Sequence, residues 1–408
     1  MIQEQWVKAI FVAIPLVLIG LRLIRLHWAL RIPAAAACGF AVAVLLVAML
    51  PTGILAYLVS FSIMAGIYAI LSLGLNSQWG LTGHLNFGIA GFFAIGAFTS
   101  ALFTMSMPTG LLANYAKQAF GLEMPFLVGV LAAAIVAGLV AFLIAIPVLK
   151  LREDYLAIAT LGIAEVIRLA FQNERWLANG PQPLRGIPRP LSCLVEDPAC
   201  AWLPDSLATW LTPLAQRDYI FPYLVIVAVF VAVIYVALER ISRSPWGRAL
   251  RAVREEEASA AMNGKNVASL RVQSFVVGGV IMGIAGALYG PYVISISYSH
   301  FRPLFATFLV WVMLMLGGSG NNRGAILGAF IIWGVWSGTA FLADAITPLL
   351  SLISDDFASR SPYLRWMLVA ILLELIVLYR PKGLLQEQKV VSLFLPRELP
   401  KKVPRTKT

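Results

Sequence analysis

Residues 125–149 read PFLVGVLAAAIVAGLVAFLIAIPVL, a run without a single charged side chain. At ~1.5 Å of rise per residue a helix of this length is roughly 37 Å long, enough to cross the ~30 Å of hydrocarbon in a bilayer. The run shows none of the in-out alternation of a barrel strand. In lipid, moreover, a lone segment can satisfy its backbone polar groups only as a helix. A soluble protein with a very large core is the competing explanation, and it fails because the pattern recurs along the chain. Similar runs occupy about 7–21, 33–50, 53–75, 81–105, 155–172, 219–238, 272–298, 304–317, 324–343 and 363–379. Of the 408 residues, 60% are hydrophobic and 12% charged, against ~25% charged in soluble domains. The expected fold is therefore all-α, a polytopic bundle of about eleven transmembrane helices.

The basic residues test that count, since Lys and Arg gather in alternate, cytoplasmic loops. Arg22, Arg25 and Arg31 precede the second run, and Lys150 and Arg152 follow the fifth. Seven Lys/Arg lie between Arg240 and Arg271, and eight from Arg380 onward against two acidic residues. With eleven crossings all four groups fall inside, the N-terminus outside and the C-terminus inside. The crossing at 155–172 is the weakest, because it carries Glu165 and Arg168. The net charge of +11 sits between apolar runs and in the tail, which points to topology and anionic lipid rather than nucleic acid. The first run is followed by arginines instead of a small-residue cleavage site, so it is expected to persist as a helix. One transmembrane domain, 1–385, is expected, with an outer loop at about 173–218, an inner loop at about 239–271 and a basic tail at 386–408. The outer loop holds Cys193 and Cys200, candidates for a short disulfide on the oxidising side or two separate thiols.

Small residues at spacings of three and four let helices approach closely where lipid gives no hydrophobic drive. Gly279, Gly283, Gly286 and Gly290 form one such stripe and Ala90, Ala94, Ala97 and Ala101 another; Gly324 with Gly328 and Gly334 with Gly338 add two pairs. These helices are expected at the centre of the bundle. Polar groups at membrane depth line a cavity or pair with one another. The segment Asn76–Gly88 interrupts two apolar runs with amides, glycines and a histidine. It is either a discontinuous helix bounding a solute site or a cytoplasmic turn leading into a helix. Asn76, Gly83, His84 and Asn86 are its candidate path residues, Asn86 foremost. Glu165 and Arg168, three apart, are expected to form a structural ion pair.

Within the inner loop, residues 244–264 read as one amphipathic helix. Ser244 is placed to cap it, Pro245 suits its first position, and Gly264 its end. Arg251 and Glu255 stand at i,i+4, and Ala249, Leu250, Val253, Ala260, Ala261 and Met262 form an apolar side. Such a helix docks a soluble partner or lies on the membrane surface.

Four patches taken together resemble one known family. They are Gly74–Asn76 through Thr82-Gly83 to Gly91–Phe98; Tyr155–Leu161 with Glu165–Arg168 and Gly186–Pro190; the 244–264 segment running into Gly283–Tyr289; and Leu316–Gly320 with Tyr379–Leu385. This ordered set is similar to the permease subunits of branched-chain amino-acid ABC importers. The resemblance implies that Glu256, Glu257, Ala258 and Gly264 contact an ATPase subunit, alongside Arg251 and Glu255. It also implies that the segment with Gly283 and Gly286 lines the translocation path, and that a periplasmic solute-binding protein and a second permease subunit take part. At His84, Asn86 and Phe87 the chain departs from the family's commoner Gln and Ser-Leu, which leaves urea- or amide-like solutes open beside hydrophobic amino acids. No G-x-x-x-x-G-K-[ST] phosphate loop occurs, so ATP is expected to be hydrolysed on separate chains, and the protein itself is expected to hold no cofactor or metal and to be no enzyme. An ion-coupled secondary transporter would want more carboxylates and histidines at depth than Glu165, Glu374 and His84. The expected location is a bacterial inner membrane.

Overall fold

The computed structural model describes residues 52–109, 117–190, 220–351, 363–379 and 383–387. The chain divides into two units, Met1–Val59 and Ser60–Thr408, and every tertiary contact given below lies within the second. The two expected helices before residue 51, and Cys193 and Cys200, fall outside the described residues.

Each of the nine apolar runs from residue 53 onward contains a helix. In chain order they are α1 (Thr52–Leu75), α2 (Ile89–Thr104), α3 (Phe126–Val148), α4 (Glu153–Asn173) with a short α5 (Arg175–Ala178), α6 (Ile220–Arg243), α7 (Pro245–Glu255), α8 (Glu257–Met262), α9 (Val267–Val293), α10 (Leu309–Gly317), α11 (Asn322–Ser351) and α12 (Leu364–Tyr379). Among the described residues four helical segments are long and apolar enough to cross a membrane: Ala56–Gly80, Phe126–Val148, Pro222–Arg243 and Val267–Val293. The sequence places the second of the nine at 81–105, but α2 begins only at Ile89. The preceding helix instead runs on from α1 through a π-turn, Asn76–Gly80, and six non-helical residues separate the two. With 16 residues, α2 is about 24 Å long, short of a full crossing.

The small-residue stripes explain why α2 sits at the centre. Fourteen of its sixteen residues are buried, and it packs on α9, α3 and α4. A Cβ on Gly286 would collide with Phe93 O and Ala97 N, and one on Gly96 with the Gly283 backbone. On its other side α9 meets α3, where a Cβ on Gly279 would lie 2.6 Å from Ala141 Cβ. There Ala133, Ala137, Ala141 and Ala145 are fully buried, whereas Leu131, Ile135, Leu139 and Leu143 on the opposite face are exposed and suit lipid. The stripe ends sooner than expected: Gly290 has only ordinary contacts and Gly338 has none within 4 Å. Gly324 and Gly328 do seat α11 against α10, by Gly317 and Met313.

The connections segregate into two poles. At one, Gln118 bridges Ala178, and β1 (Leu184–Arg185) pairs antiparallel with β2 (Ser295–Ile296). At the other, the turn after α1, the α6–α9 connection, the α10–α11 turn and the segment 383–387 meet through hydrogen bonds. These are the two groups of loops that alternate crossings demand. They make α4 a full traverse, carrying the chain from Lys150 to Ala178, despite its charges. Gln386 and Glu387, at the start of the expected basic tail, belong to this second pole: Asn321 Nδ2 donates to Gln386 O at 3.3 Å and Arg254 Nη2 to Glu387 Oε2 at 2.8 Å, while Leu384 N donates to Leu316 O at 2.8 Å and Leu385 N to Gly317 O at 2.9 Å.

Candidate functional site

The interruption at 76–88 is a buried polar knot. Its amides and hydroxyls sit at or near zero exposure, where an unpaired polar group is expensive, and nearly all are paired. Gln78 Nε2 donates to Phe275 O at 2.8 Å, and its Oε1 accepts from Asn86 Nδ2 at 2.7 Å. Asn86 Oδ1 takes the Gly88 N–H at 2.7 Å, and Asn86 O takes Trp311 Nε1 at 3.1 Å. Thr82 Oγ1 donates to Gln78 O and lies 2.7 Å from His84 Nδ1 and 3.1 Å from Ser274 Oγ. Ser274 in turn donates to Ser77 O at 2.8 Å. Gly83, at φ +81°, supplies the left-handed residue that turns the chain out of the helix. The knot thus ties α1 to α9 and α10, while Phe87 N reaches Thr160 Oγ1 of α4 at 3.0 Å. The segment is the turn between α1 and α2 at the second pole, buried against α4, α9 and α10.

The structure places each candidate path residue within the single chain. Asn86, expected foremost at the solute, is wholly buried with both ends of its amide engaged inside the chain. Asn76 is likewise closed off, donating to Asn322 Oδ1 at 2.9 Å and accepting from Gly320 N at 2.8 Å. His84 is buried against Thr82. Gly83 lies beside the aliphatic stem of Arg254. Gly283 and Gly286 are pressed between helices, where only hydrogen fits. In this conformation all six are packing positions of the lone chain. The polar stretch itself could be found in the sequence. Its partners Ser274, Trp311 and Asn322 lie roughly 190 to 250 positions away and could not.

The inner connection is two helices rather than one. α7 starts as expected, with Ser244 Oγ accepting from Gly247 N at 3.4 Å and Pro245 in the first turn. At Glu256 the backbone extends (φ −156°, ψ 102°), and α8 follows at an angle to end at Gly264, φ +73°. Gly247, Leu250 and Val253 of α7 and Ala260 of α8 face inward. Ala261 and Met262, expected on the apolar side, point outward, Met262 at 89% exposure. Arg251 does not pair with Glu255; its guanidinium donates to Ser242 O at the α6 end. Glu255, Glu256, Glu257, Ala258 and Gly264 all lie on the exposed rim, and Glu257 is held by Arg271 at 2.6 Å.

The described residues thus form an apolar bundle with a buried polar knot and an exposed helical elbow at one pole. One comparison decides the class: residues 57–377 match the family described as branched-chain amino acid transport system / permease component. The chain belongs to that family. Among its relatives is a probable branched-chain amino acid transport permease protein LivM of Methanocaldococcus jannaschii, 27% identical over 352 residues that span 80% of this chain and 92% of the relative. Two others are high-affinity branched-chain amino acid transport system permease proteins LivM. That of Escherichia coli is 34% identical over 65% of this chain and 60% of its own length; that of Salmonella typhimurium is 32% identical over 67% and 61%. No solved structure matches. The permease is thus a multi-pass membrane protein of the ABC importer class.

Among the described residues α4 carries an ion pair of its own. Arg168 grips Glu165 at both oxygens, Nε–Oε2 at 2.9 Å and Nη2–Oε1 at 2.5 Å, and stacks 5.5 Å above the Tyr298 ring. The pair expected from the i,i+3 spacing forms, and it walls a cavity of about 400 Å³ with Gln172 and Arg302. No cluster of metal-binding side chains is present among the described residues.

Proposed function

We propose that this permease is one of two membrane subunits of an ATP-driven importer for branched-chain or other hydrophobic amino acids. The elbow α7–α8 docks an ATPase subunit, and a solute-binding protein delivers cargo at the opposite pole. The observation that carries the reading is the elbow: a capped pair of helices, buried on one face, presenting Ala258, Ala261 and Met262 among exposed glutamates on the other. An apolar patch rimmed by charge suits a protein partner better than bulk water. The distribution of Lys and Arg supports a cytoplasmic location for this pole, with ATP bound and hydrolysed on the partner chains. The sealed state of Asn76, His84 and Asn86 supports a path formed between this chain and a second permease subunit, opened when the helices shift.

The test is Glu256→Arg combined with Gly264→Val in the reconstituted importer. Both positions are exposed and a Cβ on Gly264 meets nothing within 4 Å, so the change acts on the partner and on the left-handed turn, not on the core. Solute-stimulated ATP hydrolysis is expected to fall at least tenfold. Unchanged stimulation would remove the elbow from the docking role.

A further inference from the structure

Arg254 occupies the last turn of α7 and is the arginine of that helix that leaves its own neighbourhood. Arg248 donates back to Arg243 O and Arg251 to Ser242 O, both at the α6–α7 corner. Arg254 instead spans two distant elements. Its Nη1 donates to the carbonyl of Gly80, the last residue of the π-turn, and its Nη2 meets Glu387 Oε2 at 2.8 Å. Both side chains of the ion pair are about three-quarters buried, at 24% and 25% exposure. Glu387 is not free to drift: the segment carrying it is strapped to the end of α10 by Leu384 N and Leu385 N, and Asn321 Nδ2 reaches Leu385 O at 3.4 Å.

Two routes leave this guanidinium. Through Gly80 it grips the turn containing Gln78, the hub of the polar knot. Through Glu387 it reaches Gly320, where a Cβ would lie 2.7 Å from the carboxylate carbon. From there Gly320 N binds Asn76, Asn76 binds Asn322, and Asn322 Nδ2 meets Glu239 Oε2 of α6 at 3.2 Å. A planar fork holds two acceptors at once in fixed directions, which a lysine ammonium on a flexible stem does not. A paired, partly desolvated network of this kind moves as a unit.

We propose that Arg254 is the positioning residue that turns movement of the α7–α8 elbow into movement of the polar knot, with Glu387 as its anchor on the C-terminal strap. This rests on the docking role of the elbow proposed above. When the elbow is pushed, Arg254 carries the Gly80 carbonyl with it, and the knot and the α10–α11 turn shift together. Loss of the fork leaves ATP hydrolysis running without displacing the helices.

The experiment uses the complete importer in vesicles with Arg254→Lys, Arg254→Gln and Glu387→Gln, and measures two quantities: retention of the ATPase subunits on purification, and ATP hydrolysed per solute imported. Retention is expected to be unchanged, while the ratio rises at least fivefold for Arg254→Gln and less for Arg254→Lys and Glu387→Gln. Glu387→Gln keeps the side-chain volume and decides the matter if Arg254→Gln does not fold. A wild-type ratio in the variants that assemble overturns the proposal, as does loss of the ATPase subunits, which would make Arg254 part of the docking contact itself. If instead Glu256→Arg with Gly264→Val leaves ATPase stimulation intact, it is the docking role that fails, and the ratio measured for Arg254 does not bear on that.

Discussion

Replacing Asn86 by Leu separates a structural amide from a solute-binding one. The side chain donates to Gln78 Oε1 and accepts from Gly88 N, both at 2.7 Å and both in a region without solvent. Leu has the same branched outline and supplies neither function, leaving one buried acceptor and one buried donor unpaired. Each costs about 1–3 kcal/mol, so the sum is about 2–6 kcal/mol, a large part of the ~5–15 kcal/mol that holds a domain folded. Asn86→Asp, nearly isosteric, is expected to be about as harmful. It keeps the acceptor for Gly88 N but turns an oxygen toward Gln78 Oε1, and Gln78 cannot rotate its amide without aiming that oxygen at Phe275 O. Thermal unfolding of the purified permease in detergent, beside uptake kinetics of the reconstituted importer, gives the answer. Both variants should unfold well below wild type, with loss of assembled protein. Wild-type unfolding accompanied by a changed apparent KM would refute this and return Asn86 to the solute.

The glycine stripe offers an internal control: Gly286→Ala drives a methyl into Phe93 O and Ala97 N and is expected to cost about 1–3 kcal/mol or more. Gly290→Ala, with Ile187 Cδ1 at 3.6 Å as its nearest neighbour, should be neutral or stabilising by up to ~1 kcal/mol; unfolding in detergent distinguishes the two. Met262→Asp, on the fully turned-out face of α8, should leave unfolding unchanged and weaken retention of the ATPase subunits at least tenfold, read by co-purification at graded concentrations. Glu165→Gln strips Arg168 of its bidentate partner and leaves a guanidinium without a counter-charge within a crossing, so unfolding below wild type is expected; an unfolding midpoint equal to wild type would show the pair to be idle in the fold.

Local chemistry in the sequence was enough to locate most of the helices from residue 53 onward, though not the late start of α2 or the break at Glu256, together with the cap at Ser244, the stop at Gly264, the pair Glu165–Arg168 and the close contacts at Gly279, Gly283 and Gly286. Each depends on residues within a turn or two of one another, or on a run long enough to reach across lipid. Family resemblance added the class of protein. Tertiary structure alone decided what the polar residues do. Asn86 looks like a solute ligand until Gln78, Gly88 and Trp311 close around it. Arg251 has Glu255 one turn away, yet α7 lies against the end of α6 and the guanidinium goes to Ser242 O. Arg254 finds acceptors 174 and 133 positions distant, one of them in the basic tail. Where a side chain is buried, its partner is set by which helices meet. In a bundle held by close packing of small residues, that meeting is a property of whole surfaces, not of any single stretch of chain.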